Sequence, residues 1–162
     1  MDTFNVETER VDKGWLLILV IWSAILLTLA LYIGLCYFIK IPSDSAKIPA
    51  DVLTKIRYIL LGISVAELFI IRFVRKLALK VRAGEEVDAC GSGQHPAVAK
   101  YFAATLVSAA LAESIAIYGV VIYFMSGDVS LLYPFVIIAA AAMLYFRPRK
   151  DELHALAHEM RR

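Results

Sequence analysis

The chain is a succession of long apolar runs separated by short polar breaks. Four runs stand out: Trp15–Ile39, about Val52–Val74, Tyr101–Met125 and Val129–Phe146. A helix needs about 20 apolar residues to cross a hydrocarbon core of roughly 30 Å. The pattern therefore predicts an all-α, integral membrane four-helix bundle, with residues 1–162 forming a single membrane domain. The first run has 25 residues, with Trp15 and Trp22 near its start and Tyr37 and Phe38 near its end. Aromatic residues favour the two membrane interfaces, which suits those positions. The segment before it is acidic (Asp2, Glu7, Glu9, Asp12), and the run is too long for a signal-peptide core. It reads as a permanent helix that ends at Lys40-Ile-Pro42, followed by a polar loop over 43–51.

The second run is less clean, because it contains Lys55, Arg57, Glu67 and Arg72. Only 14 residues separate Arg57 from Arg72, a rise of about 21 Å. Snorkelling of the two arginines toward the headgroups would supply the rest. The expected cytoplasmic loop, 75–100, starts as a basic amphipathic stretch (Arg75, Lys76, Lys80, Arg82). It passes through Glu85-Glu86 and ends in the helix-breaking Cys90-Gly-Ser-Gly93. Ser126-Gly127-Asp128 predicts a tight turn. The fourth run has 18 residues, with Pro134 in its first turns, where proline costs least. After Arg147-Pro148-Arg149-Lys150, the tail 147–162 reads as a short amphipathic helix. Its Leu153, Leu156, Ala157 and Met160 share one face, suited to the membrane surface.

A possible internal repeat runs at an offset of 86. Ala30-Leu-Tyr32 and Tyr37-Phe38-Ile39 align with Ala116-Ile-Tyr118 and Tyr123-Phe124-Met125. The second and fourth runs both end in an arginine–lysine pair, Arg75-Lys76 and Arg149-Lys150. Both features suggest a duplicated hairpin.

Composition strengthens the membrane reading. The 162 residues are 60% hydrophobic and only 20% charged, with a mean hydropathy of +0.71. Soluble domains carry roughly 25% charge. The net charge of +2 matters less than its placement. Eleven Lys and Arg residues lie beside the 75–100 loop and the C-terminal segment, against four (Lys40, Lys47, Lys55, Arg57) on the other side. The positive-inside rule then puts both termini in the cytoplasm. The expected location is a multi-pass position in a cytoplasmic membrane such as the bacterial inner membrane. Cys36 falls in the first run and Cys90 in a cytoplasmic loop, so no disulfide is expected.

Glu113 is the residue that calls for chemistry. It is the midpoint of Tyr101–Met125, about 18 Å from either end. A charge at that depth costs roughly 2.5–3.5 kcal/mol, and protonation avoids much of it. The sequence predicts a neutral Glu113 facing other helices, exchanging its proton only when water or a cation arrives. Intramembrane acids are functional candidates by default. Ser114 and Tyr118 are nearby oxygens, expected to assist it. Ala104, Ser108, Ala112 and Ala116 recur every fourth residue, and Gly119 extends this small-residue surface. Such a stripe lets helices approach closely and is read as helix packing, within the chain or against a copy of itself or another membrane subunit.

Gln94-His-Pro96, followed by Ala109-Ala-Leu-Ala-Glu113-Ser-Ile-Ala-Ile-Tyr118-Gly119-Val-Val, resembles the C-terminal helix of the rotor-ring proteolipid (subunit c) of F- and V-type ATPases. The resemblance covers about 94–125. It implies H⁺ or Na⁺ as the bound ion, with Glu113 as the carrier and Ser114 as the hydroxyl that assists Na⁺. The sequence departs from that family in the second run, which has only Gly62 where the family has a glycine-rich helix. The chain's single glutamine, Gln94, lies in the loop.

Glu67 is the second intramembrane acid. Counted from Arg72 it is shallow, about 10 Å from the depth of Glu113. The expected reading is pairing with a basic group or shallow water. His154 and His158 share a face of the tail, but two ligands are too few for a metal site, so no metal is expected. No nucleophile–base motif, phosphate-binding glycine loop or nucleic-acid patch is present, and no enzymatic activity is expected. Two readings remain open: a proton- or sodium-linked membrane protein, or a non-transporting assembly or accessory protein in which Glu113 is a neutral packing group.

Overall fold

In the computed structural model the described residues are 2–39, 48–80 and 96–160. They form five helices: α1 (Asp2–Phe38), α2 (Ala50–Leu79), α3 (Pro96–Ser126), α4 (Tyr133–Tyr145) and α5 (Lys150–Glu159). No strand occurs among the described residues. Two helices are long and apolar enough to cross a membrane: α1 over Asp12–Phe38 and α3 over Ala97–Ser126. The chain is thereby an all-helical membrane protein.

Each boundary has a local cause. α1 starts well before Trp15, because nothing in the acidic segment ahead of it breaks a helix. α2 follows Pro49, which is extended at φ −55°, ψ 139°. It runs through Arg75 and Lys76 to Leu79, so the first part of the expected loop is helix. α3 opens on Pro96, whose missing N–H costs nothing in a first turn. It closes at Gly127, the one glycine with positive φ (70°) among the described residues, whose N–H caps Tyr123 O at 2.8 Å. Asp128 then accepts from Ser130 N at 2.8 Å and starts a 3-10 turn over Val129–Leu131.

The fourth apolar run is divided. The 3-10 turn takes its start, and Pro134 fixes the first turn of α4. The 13 residues of α4 rise only about 20 Å. Pro148 separates α4 from α5, and the segments Val129–Tyr145 and Lys150–Glu159 are bent by 49°.

α3 is the hub, packed on α2, α4, α1 and α5, and it lies between α1 and α2. The main core joins Leu29 and Cys36 of α1, Ile71 of α2, Ile115 and Ile122 of α3, and Phe135 and Ala139 of α4. The small-residue stripe is buried: Ala104, Ser108, Ala112 and Ala116 are at most 3% exposed, and Ala112 and Ala116 belong to this core. A side chain at Gly119 would sit 2.9 Å from Phe135 Cβ and 3.0 Å from Leu132 O. The stripe therefore lets the chain's own helices approach, and any contact with a second molecule uses other faces.

A second apolar cluster lies at the end of the bundle where α1 and α3 begin. Leu153 and Leu156 of α5 pack there on Ile18, Ala97, Val98 and Tyr101. The apolar face expected on the membrane surface is covered by protein instead. Lys150 Nζ and His154 Nε2 reach Asp12 at 2.9 and 3.2 Å and fix α5 to α1. Cys36 is a free buried thiol. Lys40-Ile-Pro42, Glu85-Glu86, Cys90, Gly91-Ser-Gly93, Gln94 and Arg161-Arg162 lie outside the described residues.

Candidate functional site

Residues four apart on a helix share a face, and two such pairs join α3 to its neighbours at half-buried positions. On α1, Thr28 and Tyr32 face α3. Tyr32 OH donates to Glu113 Oε1 at 2.6 Å, and Thr28 Oγ1 lies 2.9 Å from the same oxygen. On α3, Ser114 and Tyr118 face α2. Tyr118 OH donates to Glu67 Oε1 at 2.9 Å, and Ser114 Oγ lies 3.1 Å from it. Each carboxylate thus meets one small hydroxyl and one tyrosine from the neighbouring helix. Neither enters an ion pair among the described residues.

This geometry regroups the expected site. Ser114 and Tyr118 do not turn to Glu113. Successive residues on an α-helix are about 100° apart, so positions one and five beyond Glu113 point to another side of α3. Their partner is Glu67, which has hydroxyl partners instead of the expected basic group. Arg72 instead reaches Tyr145 OH at 3.5 Å. Thr28 and Tyr32, the partners of Glu113, stood at matching positions of the internal repeat: an offset of 86 carries Thr28 to Ser114 and Tyr32 to Tyr118. That offset was the available signal.

The small hydroxyls have a further property in common. Thr28 Oγ1 lies 2.6 Å from Ile25 O, and Ser114 Oγ lies 2.6 Å from Leu111 O. A hydroxyl has one proton and rotates to suit its surroundings. Pointed at its own helix carbonyl, it can accept a hydrogen bond from a protonated carboxyl. Pointed at the carboxylate, it donates. Each site therefore accommodates both protonation states with one bond rotation.

The oxygens around Glu113 are 2.6 and 2.9 Å from Oε1, which is hydrogen-bond spacing. The second oxygen of Glu67, Oε2, is buried without a hydrogen-bond partner. No group of three His, Cys, Asp or Glu side chains that could hold a metal occurs among the described residues.

Comparison of the chain with protein-family models, with curated proteins and with solved structures gives no match.

Proposed function

We propose that this is a multi-pass, four-helix membrane protein that binds and releases protons at Glu113 and Glu67, in the manner of a proteolipid carboxyl. The observation that carries this reading is the Glu113 carboxylate, which takes Tyr32 and Thr28 from the adjacent helix and enters no ion pair among the described residues. Both hydroxyls can donate to the carboxylate, and Thr28 can turn to its own helix carbonyl and accept from the protonated acid, so the site can hold the group with or without its proton.

Several features support a four-span, same-side topology. α2 exposes Ile59, Ile63, Phe69, Ile70 and Phe73, and α4 exposes Ile137 and Leu144, apolar surface suited to lipid. Asp12 of α1 meets α5 directly, so the start of α1 and α5 share one end of the bundle. With the excess of Lys and Arg near that end, the positive-inside rule makes it cytoplasmic.

Purified protein in proteoliposomes with an imposed pH gradient and a trapped pH dye tests the proposal. The wild type is expected to accelerate proton equilibration, and Glu113→Gln to abolish the acceleration. Unchanged flux in Glu113→Gln overturns it. If that variant retains flux and loses only thermal stability, the carboxyl is an interhelical packing group in a non-transporting protein. A flux that follows Na⁺ at constant pH replaces the proton with sodium.

A further inference from the structure

The end of the bundle where α2 meets α5 carries a second, unrelated chemistry. A cleft of about 290 Å³ opens there, and its charged lining is Arg72, Arg75, Lys76, Arg147, Arg149 and Glu152. Five cations face one carboxylate, and that carboxylate is already engaged: Glu152 Oε2 receives Arg75 at 2.8 Å. Arg75 is the fixed member. Its side chain is only 10% exposed, and it donates also to Phe146 O and, at 3.4 Å, to Tyr101 OH. Its guanidinium lies 5.9 Å from the Tyr101 and Phe146 ring centroids. Tyr101 OH accepts from Arg149 N at 2.8 Å, which ties the α4–α5 corner to α3 beside the cleft.

The other four cations have no such engagement. Arg72, Lys76, Arg147 and Arg149 are exposed, and none has a carboxylate within ion-pair distance among the described residues. They converge from two chain segments that are distant in sequence. Like charges held together this way repel unless an anion sits among them, and arginine forks match phosphate oxygens in particular.

The surface beside the cleft tells which phosphate. Arg72 and Lys76 form one stripe of α2. The stripe one position further, Phe69, Phe73 and Leu77, is exposed by 72, 67 and 61%, and Tyr145 of α4 stands exposed in the cleft wall. An acyl chain can lie along that stripe while its phosphate occupies the cleft. The geometry points to a binding site for the phosphate headgroup of an anionic phospholipid, held by Arg72, Lys76, Arg147 and Arg149. This site uses the membrane placement of the protein and does not depend on what Glu113 and Glu67 do.

Delipidated protein in detergent, titrated with defined lipids and read by native mass spectrometry, tests it. Phosphatidylglycerol is expected to bind at one saturable site at least ten-fold more tightly than phosphatidylcholine, which has the same phosphate but no net charge. Arg147→Gln/Arg149→Gln and, independently, Arg72→Gln/Lys76→Gln are expected to lose that preference. The charge-matched Lys55→Gln/Arg57→Gln, toward the other end of α2, is expected to keep it. Equal binding of the two lipids overturns the proposal, as does loss of the preference in the control. Inorganic phosphate is expected to compete only weakly. Competition at equal concentration makes the cleft a free-phosphate site and overturns the lipid assignment. Proton flux in the same variants separates the readings: a lipid-site variant that keeps flux, or a Glu113→Gln protein that keeps its lipid, shows which of the two has failed.

Discussion

Tyr32 and Glu113 meet at 2.6 Å across the α1–α3 contact, 81 residues apart in the chain. Eighty-six residues beyond Tyr32, Tyr118 meets Glu67 in the same manner at 2.9 Å. α3 takes part in both, as acid toward α1 and as hydroxyl donor toward α2. Glu113 and Ser114 are sequence neighbours, so the two carboxyl sites are joined through a single peptide unit. A shift of α3 toward one neighbour loosens the other site.

The pairing makes a prediction that separates the two sites. In a double-mutant cycle, Tyr32→Phe and Glu113→Gln should couple by about 1 kcal/mol, and so should Tyr118→Phe and Glu67→Gln. The cross pair Tyr118→Phe and Glu113→Gln should add to within about 0.5 kcal/mol. Thermal unfolding in detergent supplies the energies. Strong coupling in the cross pair would return Tyr118 to Glu113 and contradict the geometry.

Carbodiimide labelling gives a chemical check, because dicyclohexylcarbodiimide attacks protonated carboxyls in apolar surroundings. Tyr32 OH occupies Glu113 Oε1 at 2.6 Å. Tyr32→Phe frees that oxygen for the reagent and should raise the labelling rate of Glu113 several-fold at a fixed pH. Tyr118→Phe should leave Glu113 unchanged and raise labelling of Glu67. Peptide mapping by mass spectrometry distinguishes the two acids. Equal rates in wild type and Tyr32→Phe would remove the tyrosine from the site.

Much of this was legible in the sequence. Hydropathy located α1 and α3, because their apolar runs are long and nearly free of charge. It overextended α4, because an apolar run shows neither the 3-10 turn set by Asp128 nor the helix start set by Pro134. Glu113 and Glu67 stood out as acids in apolar runs. Their partners did not, because a linear depth count places residues along a helix and leaves its rotation open. Proximity in sequence suggested Ser114 and Tyr118 for Glu113, whereas helical rotation hands them to Glu67. The small-residue stripe was recognised as packing, but only the fold shows that α4 closes on its Gly119 end. The apolar face of α5 was equally visible, and its cover, Ile18 with Val98 and Tyr101, is a tertiary fact that periodicity does not encode.

The approach of α3 to α4 is testable at glycine. Gly119→Ala places a methyl 3.0 Å from the Leu132 backbone oxygen and 2.9 Å from Phe135 Cβ. A backbone atom has little room to give, so the expected loss is about 1–3 kcal/mol, beyond any gain in helix propensity. Gly62→Ala is the control, since nothing lies within 4 Å of its added Cβ. It should be neutral or stabilising by up to about 1 kcal/mol. Melting temperatures in detergent should move in opposite directions for the two variants, or at least differ by several degrees. If Gly119→Ala melts no lower than Gly62→Ala, the close α3–α4 contact is wrong.

Arg75 holds α5 in place, and its replacement should release that helix while the bundle stays intact. Arg75→Gln loses the 2.8 Å bond to Glu152, the bond to Phe146 O and the stacking on Tyr101 and Phe146. The Glu152 side chain is 40% exposed, so it rehydrates once abandoned, and the cost falls short of that for a fully buried pair. About 2–3 kcal/mol is expected. Leu153 and Leu156 still prefer their apolar seat, so the helix opens transiently. Limited trypsinolysis at Arg149 and Lys150 should then accelerate about 30–100-fold at about 1.4 kcal/mol per factor of ten, with cleavage elsewhere unchanged. Arg75→Lys should rescue only part of this, because one ammonium cannot supply the planar fork that reaches Phe146 O, Tyr101 and Glu152 together. Full rescue by lysine would mean that the charge alone anchors α5, and an unchanged cleavage rate in Arg75→Gln would mean that the apolar seat suffices.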